Sequence, residues 1–253
     1  MVRLSGLLAA VQFLTRIPIR LRREPDVAAS VPWFPVAGAL IGAAVGGVAA
    51  GSWEVVPPLV AAAIAVAIGL LITGAFHEDG LADVADAFGG GWTIERRLEI
   101  LKDSRHGSYG VAAMCTSIVV RVVCLGSLPG PAAMFASSVA AHAAARGAAV
   151  GLMGLAPLAT HQGLGADYGQ AATPRRAIVG ALGGLAIGAL AVGWWAGPLA
   201  GAMIVSIMAM RWLAMRKIDG ISGDVLGACE QVAECLCLVV LSGLASHSSL
   251  WWM

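Results

Sequence analysis

From Val31 onward the chain alternates between long apolar runs and short polar breaks. The runs fall at roughly 32–51, 56–76, 109–128, 131–155, 177–196, 198–214 and 225–245. Each approaches the length of about 20 residues that a helix needs to cross a hydrocarbon core, which predicts about seven transmembrane spans. Ahead of them, residues 4–15 are apolar but too short to span. No small-residue cleavage site follows and the chain continues TRIPIRLRREPD, so this stretch is expected as an interfacial or re-entrant helix. The pattern predicts an all-α, polytopic transmembrane helical bundle, with residues 1–253 forming a single integral-membrane domain.

Composition agrees with the pattern. The 253 residues are 58% hydrophobic and 12% charged, with a mean hydropathy of +0.82. A soluble domain runs nearer to about 45–50% apolar and about 25% charged. The net charge of +1 identifies no partner, and no basic patch with interleaved aromatics argues for nucleic acid. The five cysteines make no CxxC pair and lie in or beside apolar runs, as small core residues do. The stripes Gly38, Gly42, Gly46 and Gly180, Gly184, Gly188 predict close helix packing within the bilayer.

Lys and Arg placement sets the orientation. Arginines precede the first span; Arg96, Arg97, Lys102 and Arg105 follow the second; Arg175 and Arg176 follow the fourth; Arg211, Arg216 and Lys217 end the sixth. The alternate connections carry none, which puts the N-terminus and loops 77–108, 156–176 and 215–224 in the cytoplasm.

The polar chemistry concentrates in one of those loops, HEDGLADVADAFGGGWTIERRLEILKDSRHGSYG over residues 77–110. On a helix, Asp79, Asp83 and Asp86 at i, i+4 and i+7 stand within about 40° of one another. Like charges one turn apart repel, so a cation is expected between them, and oxygen-only donors suit a hard divalent ion such as Mg²⁺. A second polar group, Asp219 to Asp224, opens the last span, where Ser222 or Asp224 can cap the helix and Gly223 lets backbone approach a phosphate. Glu230 and Glu234 lie further in, and carboxylates there need partners or a wet cavity. Arg121 and Arg146 lie inside spans; either could pair with those glutamates or reach an anionic substrate. A carboxylate-held cation beside basic residues at a membrane surface suits phosphoryl transfer. Neither a GxxxxGK[ST] nor a GxSxG sequence is present.

The blocks Phe76-His77-Glu78-Asp79-Gly80-Leu81-Ala82-Asp83-Val84-Ala85-Asp86, Leu98 to Arg105 and Gly107-Ser108-Tyr109-Gly110 closely resemble the signature of the cobalamin synthase family, the adenosylcobinamide-GDP ribazoletransferases. Further blocks extend the likeness: Phe13 to Pro18, Phe34 to Gly38, Arg146-Gly147, Gly163-Leu164-Gly165, and Ser222 to Ala228. The resemblance implies a multi-pass enzyme of the cell inner membrane with its active site in the cytoplasm. It would join adenosylcobinamide-GDP to α-ribazole or its 5′-phosphate, release GMP and require Mg²⁺. Its partners are those substrates and the lipid bilayer, with a homo-oligomer left open. Carried to this chain, Asp79, Asp83, Asp86 and Asp103 become the metal and diphosphate carboxylates, with Asp224 completing the metal site. Lys102, Arg105, Arg146, Ser222 and Gly223 become the phosphate-binding candidates, and His77 or a free aspartate the base. The chain departs from the pattern at Glu78, where leucine is usual, at Ser222 for threonine, at Asp219 for glycine and at Thr160-His161.

Two other readings compete. A CDP-alcohol phosphotransferase would also cluster aspartates at a membrane surface, but its D-G-x-x-A-R is not matched after Asp79-Gly80. A cation transporter would use the in-span Arg121, Arg146, Glu230 and Glu234, yet the acids concentrate in a loop.

Overall fold

The computed structural model describes residues 4–20, 26–160 and 164–248. Its helices are α1 (Leu4–Leu14), α2 (Val27–Ser30), α3 (Phe34–Ser52), α4 (Pro58–Thr73), α5 (Phe76–Gly90), α6 (Ile94–Ile100), α7 (Ser108–Gly126), α8 (Pro131–Met153), α9 (Leu164–Ala171), α10 (Pro174–Val192), α11 (Ala196–Ile218) and α12 (Gly223–Ala245). Among the described residues, the extended structure is a lone bridge between Leu158 and Ile221. The fold is an all-α membrane bundle. Every one of the seven apolar runs is a helix, and the N-terminal stretch is the short helix expected of it.

By length and apolarity, four helical stretches among the described residues could cross a membrane, or five if α4 and α5 count together despite their 88° bend. One of the four, Pro174–Ile218, is a hairpin and not a single 45-residue rod. A side-chain carbon on Gly151 would meet both Ala181 and Ile207 within 3.4 Å, so α10 and α11 lie side by side on α8. The reversal falls at Gly193, whose φ of +62° suits glycine.

Alanine-rich α8 is the inner helix, packed against α3, α10, α11 and α12. Every residue from Ala140 to Met153 on it is buried. The glycine stripes make this possible, because small residues are what let helices approach when lipid supplies no hydrophobic drive between them. Side-chain carbons on Gly38, Gly42 and Gly46 would come within 2.5–2.8 Å of the α8 backbone. Large apolar side chains on α4, α7, α10 and α11 face outward instead, among them Ile64, Val119, Leu182 and Ile204. That apolar exterior is what a bilayer covers.

The loops expected on one side of the membrane do meet at one end of the bundle. Arg97 donates to the Lys217 carbonyl at 2.9 Å and Lys217 to the Phe88 carbonyl at 2.9 Å, which ties loop 77–108 to the end of α11. Arg211 donates to the Leu155 carbonyl at 2.8 Å, and the Ile221 amide donates to Pro157. Cations thus satisfy the free carbonyls at several helix C-termini, where the helix dipole also favours them. Asp219, one of the departures from the family pattern, caps α11 with φ +55°. That backbone region favours glycine over aspartate.

Two outcomes follow for stability, read as thermal unfolding in detergent. Asp219→Gly should raise it by about 1 kcal/mol by relieving the left-handed cap. Gly80→Leu should lower it by about 1–3 kcal/mol, because a side-chain carbon there meets the Asp224 carbonyl at 2.9 Å. Gly47→Leu, with nothing within 4 Å, should leave it unchanged.

Candidate active site

The site begins with a turn. Gly74 at φ +68° and Ala75 at φ +56° stand consecutively in the left-handed region, and they turn α5 away from α4 by 88°. So α5 leaves the line of α4. It packs instead against α7 and the start of α12. The α5–α12 crossing is a glycine contact: a side-chain carbon on Gly227 would sit 3.5 Å from both the Gly80 and His77 Cα atoms. Because backbones approach this closely, carboxylates from distant parts of the chain are brought to one place.

On α5, Asp79 and Asp83 flank His106, which arrives from the loop before α7. The His106 Nε2 lies 3.3 Å from Asp79 Oδ1, and its Nδ1 lies 3.4 Å from Asp83 Oδ1. One ligand atom from each of the three residues fits within 4.8 Å, so the group could hold a metal ion. Burial, reinforced by the negative charges of Asp79 and Asp224, raises the Asp83 carboxyl to about pH 7. That is the electrostatic signature of carboxylates crowded without a counter-charge, and a divalent cation would relieve it. The donors fit a hard cation in their carboxylates, while His106 adds a nitrogen that Mg²⁺ rarely recruits. Asp224 is not one of those three but lines a cavity with Asp79 from the first turn of α12, where Ser222 caps the helix by accepting from the Val225 amide and donates to Asp224 at 3.3 Å.

Other expected residues are placed differently. Asp86 accepts from the Gly107 amide at 2.6 Å and the Gly110 amide at 2.9 Å, so it caps α7 and anchors the turn that follows His106. Asp103 is gripped by Arg105 through Nε at 2.9 Å and Nη2 at 2.6 Å, and these hydrogen bonds hold its carboxyl down at about pH 2. Lys102 is exposed. Arg146 is almost wholly buried and ion-paired to Glu230 and, at 2.8 Å, to Glu234. His161 and Gly163 lie outside the described residues.

Beneath the acidic cluster runs a buried ionic network. Arg121 bridges Glu78 at 2.7 Å and Glu234 at 3.3 Å; His142 meets Glu234 at 2.7 Å; His77 Nδ1 stands 3.5 Å from Glu230. His142, Glu230 and Glu234 also have metal-like spacing, but two guanidiniums already supply the positive charge there. Glu78 thereby gains a role: it is the second anion of Arg121. Between network and cluster lies a cavity of about 220 Å³, walled by Phe13, Phe34, Phe76 and Tyr168 and reached by His77, Asp79, Arg146, Gly223 and Asp224. In the acidic cluster, sequence reasoning missed His106, although it directly precedes the Gly107-Ser108-Tyr109-Gly110 block.

Fold and site together define an all-helical membrane enzyme with a carboxylate-rich candidate metal site at one end of its bundle. The cobalamin-5-phosphate synthase family model matches residues 6–242, and the chain belongs to that family. It is therefore a transferase of cobalamin synthesis. An adenosylcobinamide-GDP ribazoletransferase of Bradyrhizobium diazoefficiens is 39% identical over 246 residues, covering 94% of this chain and 93% of the relative. One of Ralstonia pickettii is 37% identical, covering 97% and 96%, and one of Chlorobaculum tepidum is 35% identical, covering 91% and 92%. No solved structure matches the chain.

Removing one member of the buried network should be costly. Arg121→Met leaves Glu78 and Glu234 short of a cation and should destabilise the protein by about 3–5 kcal/mol in chemical unfolding. Adding Glu78→Leu to it should recover part of that loss, measured as a double-mutant coupling.

Proposed function

We propose that the chain joins adenosylcobinamide-GDP to α-ribazole or its 5′-phosphate, with release of GMP, at the cytoplasmic face of the inner membrane. The observation that carries this reading is that Asp79 from α5 and Asp224 from α12 line one cavity at one end of the bundle, with Asp83 beside Asp79 across His106. In this reading the seven helices of spanning character each cross the bilayer, and the whole chain is one integral-membrane unit.

Asp79, Asp83 and Asp224 would hold Mg²⁺. The ion would supply positive charge against the diphosphate oxygens. His106 lies between two of these carboxylates and helps balance their charge. Asp86 keeps the 107–110 turn, and so His106, against α5. Lys102 and Arg105 are exposed cations within four positions of His106, suited to an anionic substrate arriving from water. Asp103 steadies Arg105. His77, on the cavity wall with Asp79 and Asp224, is placed to accept the proton of the attacking ribose hydroxyl. Arg146 holds Glu230 and Glu234 in the wall below it and acts on the substrate from there. The hydroxyl oxygen bonds to the phosphorus on the cobinamide side, the diphosphate bridge breaks, and GMP leaves.

Purified protein given both substrates should form GMP and a cobalamin product only with a divalent cation present. Asp83→Asn should reduce turnover at least 100-fold while unfolding at an unchanged temperature. Asp86→Asn should lose about 1 kcal/mol of stability through the α7 cap. Normal turnover by Asp83→Asn would overturn the ligand assignment, and absence of product from the wild-type protein would overturn the reaction.

A further inference from the structure

We infer that the aromatic-walled cavity is the seat of the flat, apolar, two-ring base of ribazole, with its ribose directed toward Asp79 and Asp224. This rests on the transferase reading above and goes beyond it by assigning one substrate to one subsite.

The cavity is built from four separate elements, each contributing a ring: Phe13 from α1, Phe34 from α3, Phe76 from α5 and Tyr168 from α9. The rings are organised against each other. Phe13 lies 4.0 Å from Tyr168, stacks on Phe34 at 5.6 Å and meets Phe76 edge-on at 5.3 Å. Aromatic faces and edges held this way accept another flat ring by offset or edge contacts. Leu14, Ala149 and Met153 make the rest of the lining hydrocarbon.

Size and polarity exclude the other substrate. A space of about 220 Å³ holds a two-ring base, whereas the corrin macrocycle is several times larger. Guanine is small enough, but its N1–H and exocyclic amine need acceptors, and burying them unmatched against hydrocarbon is unfavourable. Of the two carboxylates on the lining, Asp79 stands at the mouth with its side chain 62% exposed, and Asp224 is turned to its own helix cap Ser222; both belong to the diphosphate end. Deeper in, the buried Arg146 Nε lacks a hydrogen-bond partner, while His77 Nδ1 faces Glu230 at 3.5 Å. The arginine nitrogen is a donor. A benzimidazole offers one acceptor nitrogen and otherwise carbon, so it leaves little unmatched here, and the ribose hydroxyls then fall toward His77 and the carboxylates.

The geometry also sets the order of parts along the substrate: base toward α1, α3 and α9, ribose at His77, phosphorus at the acidic cluster. Nothing in this arrangement calls on a nucleotide base inside the bundle.

The test is steady-state kinetics of the full-length protein with both substrates varied. Phe34→Leu and Tyr168→Leu remove ring faces while keeping the wall apolar, and Ala149→Leu projects into the space. Each should raise the KM for α-ribazole about tenfold and move the KM for adenosylcobinamide-GDP no more than about twofold. With the unaltered protein, free 5,6-dimethylbenzimidazole should compete with α-ribazole, and guanosine should not. If the variants instead raise the KM for the GDP substrate, or guanosine competes with α-ribazole, or the benzimidazole fails to compete, the assignment is overturned. Those results leave the transferase reading standing, since that reading falls only if the unaltered protein forms no product.

Discussion

Three carboxylates and two guanidiniums buried among apolar helices constrain this molecule more than any other feature. Glu78, Glu230 and Glu234 come from α5 and α12, Arg121 from α7 and Arg146 from α8. Taking a charge from water into such surroundings is unfavourable by several kcal/mol per ion, and only a close, well-bonded partner offsets it. The helices that carry these groups must therefore assemble in one arrangement, because any other leaves a buried ion alone. The network also fixes α5, which is turned 88° from α4 and already packs on α12 through Gly80 and Gly227. Hydrocarbon packing along the glycine stripes tolerates small slips; ion pairs of 2.7–2.8 Å do not.

With α5 fixed, the acidic cluster sits above the network and opens to water on one side. The separation matters chemically. Below, the carboxylates are matched by arginines and are structural. Above, Asp79, Asp83 and Asp224 have one imidazole among them, and Asp83 is raised to about pH 7 by burial and its neighbours' charge. A site left short of positive charge could hold a cation. The same backbone turn at Gly74 and Ala75 that aims α5 across the bundle also places Phe76 beside Phe13, so the apolar cavity and the acidic cluster share one structural cause.

The helices were readable in the chain because a bilayer leaves a coarse signal. Each run of spanning length became a helix, and the loops rich in Lys and Arg gathered at one end through Arg97, Lys217 and Arg211. Asp79 and Asp83 were readable as neighbours through their helical spacing, and Asp224 through its family block; Asp79 and Asp83 flank His106, and Asp224 lines the same cavity as Asp79. Asp86 and Asp103 carried the same signal but serve a helix cap and an arginine clasp, since spacing on a helix says which face a carboxylate shares and not which amide or guanidinium comes to meet it. His106 escaped notice because its partners lie over 20 positions back along the chain.

The sequence by itself determined that the chain is an all-helical membrane protein of the cobalamin-5-phosphate synthase family, and roughly where its acids and bases lie. Both rest on local pattern: the length of apolar runs, the asymmetry of basic loops and the order of short motifs. Only the tertiary structure decided that Glu78 neutralises Arg121, that Pro174–Ile218 folds back on itself, that His106 stands between Asp79 and Asp83, and that four aromatic rings enclose a cavity beside them. These are contacts between residues far apart in the chain, set by how closely glycines let helices approach and by which buried charges must find each other. No local pattern carries that information.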